Sequence, residues 1–224
     1  MDKTGLIVSF VCIGMILAIA VILSRMKKIK PEFIRKFIHV GVSNWWFLLL
    51  WGFDDIRFAV IGPVFFVLGN AVAVFSGAAD ILGITDRRRN YGLIYYPISI
   101  LILVVLGFQG ILPLCACGIG VLSMGYGDGF AAVIGKRWGH RRIDIWHGGK
   151  TYLGSAVMFA ICALVAMGFS IGYQLESLWT LTWWLGIVVV AMAATLLEAF
   201  TPLGLDNLTV PLGTALVAAL VLVR

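Results

Sequence analysis

The sequence predicts an all-α protein, a polytopic bundle of about eight transmembrane helices. Of its 224 residues, 61% are hydrophobic and only 12% are charged, whereas about 25% of the residues in a soluble domain are charged. The mean hydropathy is +1.02. Several apolar runs are long enough to cross the hydrocarbon core of a bilayer, which takes about 20 helical residues. We therefore interpret residues 1–224 as a single integral-membrane domain.

Eight apolar segments are the candidate helices. The first, within residues 1–24, is followed rather than preceded by basic residues, so we predict a retained transmembrane helix and not a cleaved signal peptide. Boundaries taken from a sequence carry errors of several residues, so seven and nine helices are alternatives, and Leu93–Met124 is either two helices or one broken unit. In chain order the segments are Leu6–Leu23, Phe37–Trp51, Phe58–Ala78, Leu93–Phe108, Ile111–Met124, Tyr152–Tyr173, Trp179–Phe200 and Leu208–Val223.

The basic residues predict the orientation of the bundle. The net charge is +6, from 17 Lys and Arg against 11 Asp and Glu. If the N-terminus lies outside, fourteen of the 17 basic residues fall in cytoplasmic segments, as the positive-inside rule requires. They stand in short loops and not in a soluble basic domain, so we predict no nucleic-acid partner and expect contacts with membrane lipids and phosphates. The basic residues on the outside are Lys3, Arg57 and Arg224.

Five polar segments fall on the predicted cytoplasmic side, and the first opens the second helix. Pro31 at an early helical position is typical of a helix start. One face of this helix carries polar residues three, four and seven positions apart, namely Glu32, Arg35, Lys36 and His39. Snorkelling at a helix end explains Arg35 and Lys36. It does not explain His39, which lies one turn deeper, so we predict a functional stripe.

The second and third segments suit a phosphate group. Three consecutive arginines form a short loop that orients neighbouring helices or binds phosphate through bidentate contacts; they are Arg87, Arg88 and Arg89. The third segment, Gly125–Gly139, has alternating glycines, which let backbone N–H groups approach an anion ahead of the next helix. Within it, Asp128 stands where a phosphate-bound Mg²⁺ takes a carboxylate ligand. The alternative for these glycines is close helix packing in a membrane.

The last two segments flank later helices. Lys150 and Thr151 stand at a glycine-flanked helix start, which suits an anion or an ordinary N-cap with a snorkelling lysine. Glu198 follows the apolar run Ala191–Leu197, and a carboxylate inside a membrane is costly without a function. An ion pathway needs ionisable groups throughout the membrane depth, whereas these five segments share one side. They predict an inward-facing site for an anionic, metal-bound ligand.

Together these motifs resemble those of the phytol and polyprenol kinase family, to which dolichol kinases and CTP-dependent diacylglycerol kinases belong. The resemblance covers roughly residues 30–215. Many members have glutamate where this chain has Leu153, and Glu198 and Asp206 are the candidates to take its place. The motifs that carry the resemblance are Arg35-Lys36 with His39, Asn90-Tyr91-Gly92 with Tyr95-Tyr96-Pro97, Gly127-Asp128-Gly129-Phe130-Ala131 with Gly135-Lys136-Arg137-Trp138-Gly139, Lys150-Thr151 with Gly154-Ser155, and Glu198 with Asp206-Asn207-Leu208-Thr209-Val210-Pro211.

The resemblance implies a lipid kinase. Such an enzyme transfers the terminal phosphate of a nucleoside triphosphate, typically CTP, to an isoprenoid alcohol in the bilayer such as phytol, farnesol, geranylgeraniol or a polyprenol. It implies Mg²⁺ on Asp128 and Asp206. Catalytic roles are implied for Asp128 and Lys150, and either His39 or Glu198 is the base near the lipid hydroxyl. The residues implied in nucleotide and phosphate binding are Arg35, Lys36, Arg87, Arg88, Arg89, Gly127, Gly129, Lys136, Arg137, Lys150, Thr151 and Asn207.

Two other functions stay open. A CTP-dependent cytidylyltransferase that makes a CDP-lipid needs the same inward site, the same nucleotide and a metal. A transporter without nucleotide turnover is the second alternative, although the pair of broken helices that internal repeats produce in many transporters is not visible. Because no targeting segment is visible, we predict a prokaryotic plasma membrane. The acceptor alcohol, the choice between CTP and ATP, and the oligomeric state are left open.

Overall fold

The computed structural model describes residues 1–26, 29–77, 91–143, 149–175, 177–202 and 204–223. Within these ranges the chain is helical, and its only β contact is an isolated bridge between Arg142 and Thr151. A π-helical segment, Ser123–Asp128, joins α7 to α8. The helices are α1 (Asp2–Ser24), α2 (Pro31–Ser43), α3 (Trp45–Gly52), α4 (Ile56–Ala59), α5 (Ile61–Phe75), α6 (Gly92–Phe108), α7 (Leu114–Leu122), α8 (Gly129–Trp138), α9 (Tyr152–Gly172), α10 (Leu181–Phe200) and α11 (Asp206–Val221).

In the described ranges these helices form eight consecutive units, because α2 runs into α3, α4 into α5, and α7 into α8. Each of the eight predicted segments corresponds to one unit. The segment Leu93–Met124 is two units, since α6 ends at Phe108 and α7 begins at Leu114. The chain is therefore a helical membrane bundle. Five units are long and apolar enough to span a membrane, namely Asp2–Ser24, Ile56–Phe75, Leu114–Trp138, Tyr152–Gly172 and Leu181–Phe200.

Helix starts follow the local sequence. Lys30 has an extended backbone and Pro31 takes the first helical position of α2, where the missing N–H group of proline costs nothing. Thr151 caps α9, because its hydroxyl accepts a hydrogen bond of 3.0 Å from the N–H group of Gly154. The N-cap that the sequence offered as one alternative for Thr151 is thus present.

The unit from Leu114 to Trp138 lies at the centre of the bundle. In its most apolar window 72% of the residues are buried, against 17% in α1. It packs closely on three neighbours through glycines, because an added Cβ atom would collide with α11 at Gly120, with α2 at Gly125 and with α9 at Gly127. Small residues at such contacts let membrane helices approach one another.

The glycine-rich segment is helical and is not a loop. The π-helical segment continues directly into α8. Gly127 and Gly129 therefore do not stand in a loop ahead of a helix start, and they make the close helix contacts of the packing alternative. Their role in binding phosphate stays a prediction. A Cβ atom on Gly127 would lie 2.5 Å from Sδ of Met158, and one on Gly129 would lie 2.8 Å from Cγ2 of Val40. π-helical turns inside α-helices are frequent at functional sites, and this one ends at Asp128.

Successive units are antiparallel, so the polar segments gather at one end of the bundle. There Glu32 of α2 pairs with Lys136 of α8, and Gly92 of α6 packs on Asn207 of α11. We call this the basic end; it contains the starts of α2, α6, α9 and α11 and the ends of α1, α5, α8 and α10. Among the residues that the structure describes, only Lys3 and Arg57 place basic side chains at the opposite end.

Candidate active site

Three carboxylates meet near the basic end. Asp128 comes from the π-helical segment, Glu198 from the last turn of α10 and Asp206 from the start of α11. One carboxylate oxygen of each lies within 4.8 Å of the other two. All three side chains are largely buried, at 8% exposure for Asp128 and Glu198 and 16% for Asp206. We call these residues the acidic cluster; buried carboxylates this close repel one another unless cations neutralise them.

The fold brings the cluster together through helix ends. The helices α10 and α11 are adjacent and antiparallel, and the hydroxyl oxygens of Thr201 and Thr209 lie 2.9 Å apart where the chain turns between them. Glu198 and Asp206 therefore face each other across this turn. Asp128 reaches the same place from the central unit, where it is the last residue of the π-helical segment, whose wider turn directs its side chains differently from those of an uninterrupted α-helix.

Two lysines neutralise part of this charge. Nζ of Lys36 on α2 donates a hydrogen bond to Oδ2 of Asp128. Nζ of Lys150 lies 2.9 Å from Oε1 of Glu198 and 3.6 Å from Oδ2 of Asp206, and it also donates to the backbone carbonyl of Glu198. Among the described residues, two ammonium groups thus make direct contacts with three carboxylates, an arrangement that can accept a further cation.

An asparagine amide borders the cluster. Nδ2 of Asn207 donates to the carbonyl of Gly204 at 2.9 Å and to Oδ1 of Asp206 at 3.0 Å. Oδ1 of Asn207 is buried and has no hydrogen-bond partner among the described residues. A Cβ atom on Gly92 would lie 2.8 Å from Nδ2 of Asn207, so a glycine at that position leaves room for the amide.

The donor set fits a hard divalent cation. Magnesium prefers oxygen ligands and is bound in proteins by one or two carboxylates together with substrate phosphates. The cluster offers carboxylate oxygens within coordinating reach of one point, and the buried, unpartnered amide oxygen of Asn207 is a further donor of the same kind. The residues of this site could therefore hold Mg²⁺.

His39 lies one turn deeper than Lys36 on the same face of α2. Its ring stacks on that of Tyr96 from α6, with ring centroids 5.0 Å apart and the planes inclined by 4°. The side chain is buried, and its Nδ1 has no hydrogen-bond partner in the described part of the chain. The stacking contact fixes the orientation of the ring. Burying a nitrogen without a partner costs free energy, so Nδ1 is left available for a further contact.

A second group of charges lies at the outer edge of the basic end. Nη2 of Arg35 is 2.6 Å from Oε1 of Glu32, and Nζ of Lys136 is 3.3 Å from Oε2 of the same residue. This network ties α2 to α8. The guanidinium of Arg137 lies 4.9 Å from the ring centroid of Trp138, in a cation–π contact. Arg35 and Lys136 thus border the site, while the contact observed for Arg137 is with its own neighbour.

The structure brings together six of the residues selected from the sequence, which are Lys36, Asp128, Lys150, Glu198, Asp206 and Asn207. Thr151 caps a helix, and Gly127 and Gly129 pack against neighbouring helices. Leu153 is 39% exposed on the first turn of α9, and the cluster has three carboxylates without an acid at this position. The predicted phosphate-binding residues Arg87, Arg88 and Arg89 lie outside the described residues.

The pairing of Lys36 with Asp128 was not predicted from the sequence. Glu198 was predicted either as the base or, with Asp206, as the replacement for the glutamate of the family, and it lies beside both aspartates. The signal for Glu198 was its position after an apolar run, which marked it as functional without indicating a neighbour. Glu32 was predicted only as a member of the polar stripe of α2, and in the structure it joins Arg35 and Lys136. Its spacing from Arg35 is the one feature that predicts part of this network.

An apolar cavity of about 510 Å³ lies between α3, the central unit and α9. Tyr126 lines it, and its hydroxyl donates a hydrogen bond of 2.7 Å to Oδ1 of Asn44. Residues two positions apart on a helix project in nearly opposite directions, so Asp128 faces away from this cavity. The remaining lining residues are Phe47, Leu50, Leu122, Ile161, Leu164, Val165, Gly168, Phe169, Gly172 and Tyr173.

Comparison with known proteins supplies the family. The chain is 34% identical over 216 residues to the phytol kinase of Synechocystis sp., a match that covers 92% of this chain and 86% of that protein. The chain belongs to the phytol and polyprenol (dolichol) kinase family. The family resemblance predicted from the motifs is thereby confirmed.

Further members of this kinase family match the chain with a lower identity or over a shorter part of its length. The probable chloroplastic phytol kinase of Triticum aestivum is 31% identical over 88% of this chain and 70% of its own length. The dolichol kinase EVAN of Arabidopsis thaliana is 38% identical over 42% of this chain and 16% of its own length. No family model matches the chain, and no solved structure matches it.

Proposed function

We propose that this membrane kinase transfers the terminal phosphoryl group of a nucleoside triphosphate, CTP by preference, to the hydroxyl group of an isoprenoid alcohol dissolved in the bilayer. The single observation that carries this proposal is the acidic cluster, with its two lysines, at one end of a membrane bundle. The names of the relatives, phytol kinase and dolichol kinase, support the class of acceptor.

In the reaction, the bond between the terminal phosphorus and its bridging oxygen breaks, and a bond from the alcohol oxygen to that phosphorus forms. The products are a lipid monophosphate and a nucleoside diphosphate. A divalent cation on Asp128, Glu198 and Asp206 supplies charge neutralisation at the nucleotide phosphates when it is bound. Catalysis of this kind is mainly positioning and electrostatic stabilisation, which the lysines around the cluster support.

The alcohol must also lose its proton. Glu198 and His39 were the two candidates, and the contacts favour His39. The Glu198 carboxylate is held by Lys150 and belongs to the acidic cluster, whereas Nδ1 of His39 is buried and unpartnered among the described residues. We assign proton acceptance to His39 and cation binding to Glu198. Stacking on Tyr96 keeps the imidazole in one orientation, which general-base catalysis requires.

We assign the outer basic residues to nucleotide capture. Arg35 and Lys136 already share Glu32, and phosphates would compete for the same guanidinium and ammonium groups. We place Arg137 and the three arginines Arg87, Arg88 and Arg89 with them, because all belong to the predicted cytoplasmic segments. The basic end then faces the cytoplasm of a prokaryotic plasma membrane, in keeping with the positive-inside rule and with a cyanobacterial relative.

The test is an assay on detergent-purified protein with Mg²⁺, labelled CTP or ATP, and a panel of farnesol, geranylgeraniol, phytol, a long polyprenol and diacylglycerol. We expect a labelled lipid monophosphate together with free CDP. Release of pyrophosphate from CTP on a lipid phosphate would establish a cytidylyltransferase instead. Absence of nucleotide turnover, with flux of a solute in liposomes, would establish a transporter.

A further inference from the structure

Lys150 contacts two of the three carboxylates that a divalent cation would use. Its Nζ lies 2.9 Å from Oε1 of Glu198 and 3.6 Å from Oδ2 of Asp206. Together with Asp128, these two residues form the group of carboxylates that lies within coordinating reach of one point. A magnesium ion would need the same two carboxylates as ligands, so it would compete with the ammonium for that position.

Two positive groups cannot share that position, because like charges a few ångströms apart repel strongly in a poorly hydrated site. The two lysines of the cluster differ in their freedom to leave it. The side chain of Lys36 is 7% exposed, whereas that of Lys150 is 25% exposed. Lys150 also precedes the first turn of α9 and is not held inside a helix.

We propose that Lys150 is an exchangeable counter-ion, which a divalent cation displaces from Glu198 and Asp206 and which then binds the nucleotide phosphates. This inference rests on the proposed function, since it concerns the cation and the phosphates of that same site. Without nucleotide, the ammonium prevents repulsion between the two carboxylates. When the cation arrives, those oxygens bind it instead, and the freed ammonium lies at the mouth of the site where the phosphates enter.

The buried, unpartnered Oδ1 of Asn207 is a second indication that the cluster is arranged for a cation. A divalent cation such as Mg²⁺ takes up to about six oxygen ligands, so it has coordination positions left for this amide oxygen once the carboxylates are bound. Lys150 is therefore a partner for the carboxylates of Glu198 and Asp206. The amide oxygen of Asn207 is left for the ion that replaces Lys150.

The test measures Mn²⁺ binding to nucleotide-free protein in detergent, by the electron paramagnetic resonance signal of free Mn²⁺. We expect Lys150→Gln to lower the Kd for Mn²⁺ by about tenfold or more, because a competing unit charge within 4 Å is removed. Lys150→Arg keeps the charge and should stay within about threefold of the wild type. Lys30→Gln removes an exposed charge at the same end and controls for long-range electrostatics.

A smaller Kd in Lys150→Gln alone supports the exchange. An unchanged Kd, or an equal decrease in Lys30→Gln, overturns it, and so does a protein that binds no Mn²⁺. If Lys150→Gln does not fold, amine labelling of the wild type gives the answer by mass spectrometry. Labelling of Lys150 should rise when Mn²⁺ alone is added and fall again when a non-hydrolysable nucleotide follows; constant labelling in a protein that binds Mn²⁺ would overturn the proposal.

The two proposals can fail separately. Lipid phosphorylation with an unchanged Mn²⁺ affinity in Lys150→Gln would leave the kinase in place and remove only the exchange. Tighter Mn²⁺ binding in that variant, without any lipid phosphate formed by the wild type, would leave the exchange in place and remove the kinase.

Discussion

Lys36 on α2 donates a hydrogen bond to Asp128 at the end of the π-helical segment, across 92 positions of sequence. Both side chains are almost fully buried, so each compensates the desolvation of the other. Breaking a buried pair on one side leaves an uncompensated charge, which costs more than the pair itself contributes. This pair therefore fixes α2 against the central unit at the level of the acidic cluster.

Replacing Asp128 by asparagine tests the cation role. We expect Asp128→Asn to lower the turnover of lipid phosphorylation by about 100-fold or more, because a ligand of the cation is lost. Initial rates at saturating nucleotide and Mg²⁺ give the effect. Thermal unfolding in detergent controls for folding, since Lys36 also loses its charged partner. Near-normal turnover in a folded Asp128→Asn protein would exclude the assigned role.

Replacing His39 by asparagine tests the proposed base. We expect kcat to fall roughly 100-fold, because general bases contribute at about this level, while the KM for the nucleotide stays nearly constant. Tyr96→Phe is the matched control: it keeps the stacked ring and loses only the hydroxyl that bonds the carbonyl of Val121. A loss in Tyr96→Phe as large as that in His39→Asn would mean that the polar contacts around the stacked pair, and not proton acceptance by His39, cause the effect.

Gly92 is predicted to act on the site through Asn207. An alanine Cβ atom at position 92 would lie 2.8 Å from Nδ2 of Asn207, and this amide must move to make room. We expect Gly92→Ala to weaken Mn²⁺ binding and turnover by about tenfold, as changes beside metal ligands commonly do. Gly69→Ala is the control, because a Cβ atom there meets nothing within 4 Å. Equal behaviour of the two variants would contradict the expectation.

Filling the apolar cavity tests whether it belongs to the site. A Cβ atom on Gly168 meets nothing within 4 Å, so Gly168→Leu would extend into the cavity without a clash at its base. Asp128 faces away from the cavity, and we therefore expect the KM for the alcohol to change by less than about twofold. Gly69→Leu on α5 controls for a leucine added to an open helix face. A selective loss for long-chain alcohols would place the acceptor chain in this cavity.

Replacing Leu153 by glutamate tests the position at which this chain departs from the family pattern. The side chain is on the outer face of α9, at 39% exposure, and the cluster already contains three carboxylates. We expect Leu153→Glu to alter turnover by less than about threefold, the usual result of a surface change, as measured by initial rates with CTP and with ATP. A marked gain in rate, or a switch of donor, would mean that the acid of the relatives reaches the nucleotide.

Much of this protein could be predicted from local sequence alone. Apolar runs of helical length determine the class and the eight units, because the bilayer requires every backbone group to be satisfied within a helix. The alternation of these units, together with the basic loops, predicts that Lys36, Asp128, Lys150, Glu198 and Asp206 share one side. The order of the motifs was sufficient to recognise the family, which the comparison with the Synechocystis phytol kinase confirms.

The tertiary structure decided which of these residues touch and what the glycines do. Gly127 and Gly129 in isolation fit an anion-binding loop equally well, and only the close approach of Met158 and Val40 shows that they serve helix packing. Contact between Asp128, Glu198 and Asp206 depends on the wider turn of the π-helical segment and on the turn between α10 and α11. Hydrophobic periodicity reports which face of a helix is buried, but not which neighbour covers it, so this convergence is a property of the packed bundle.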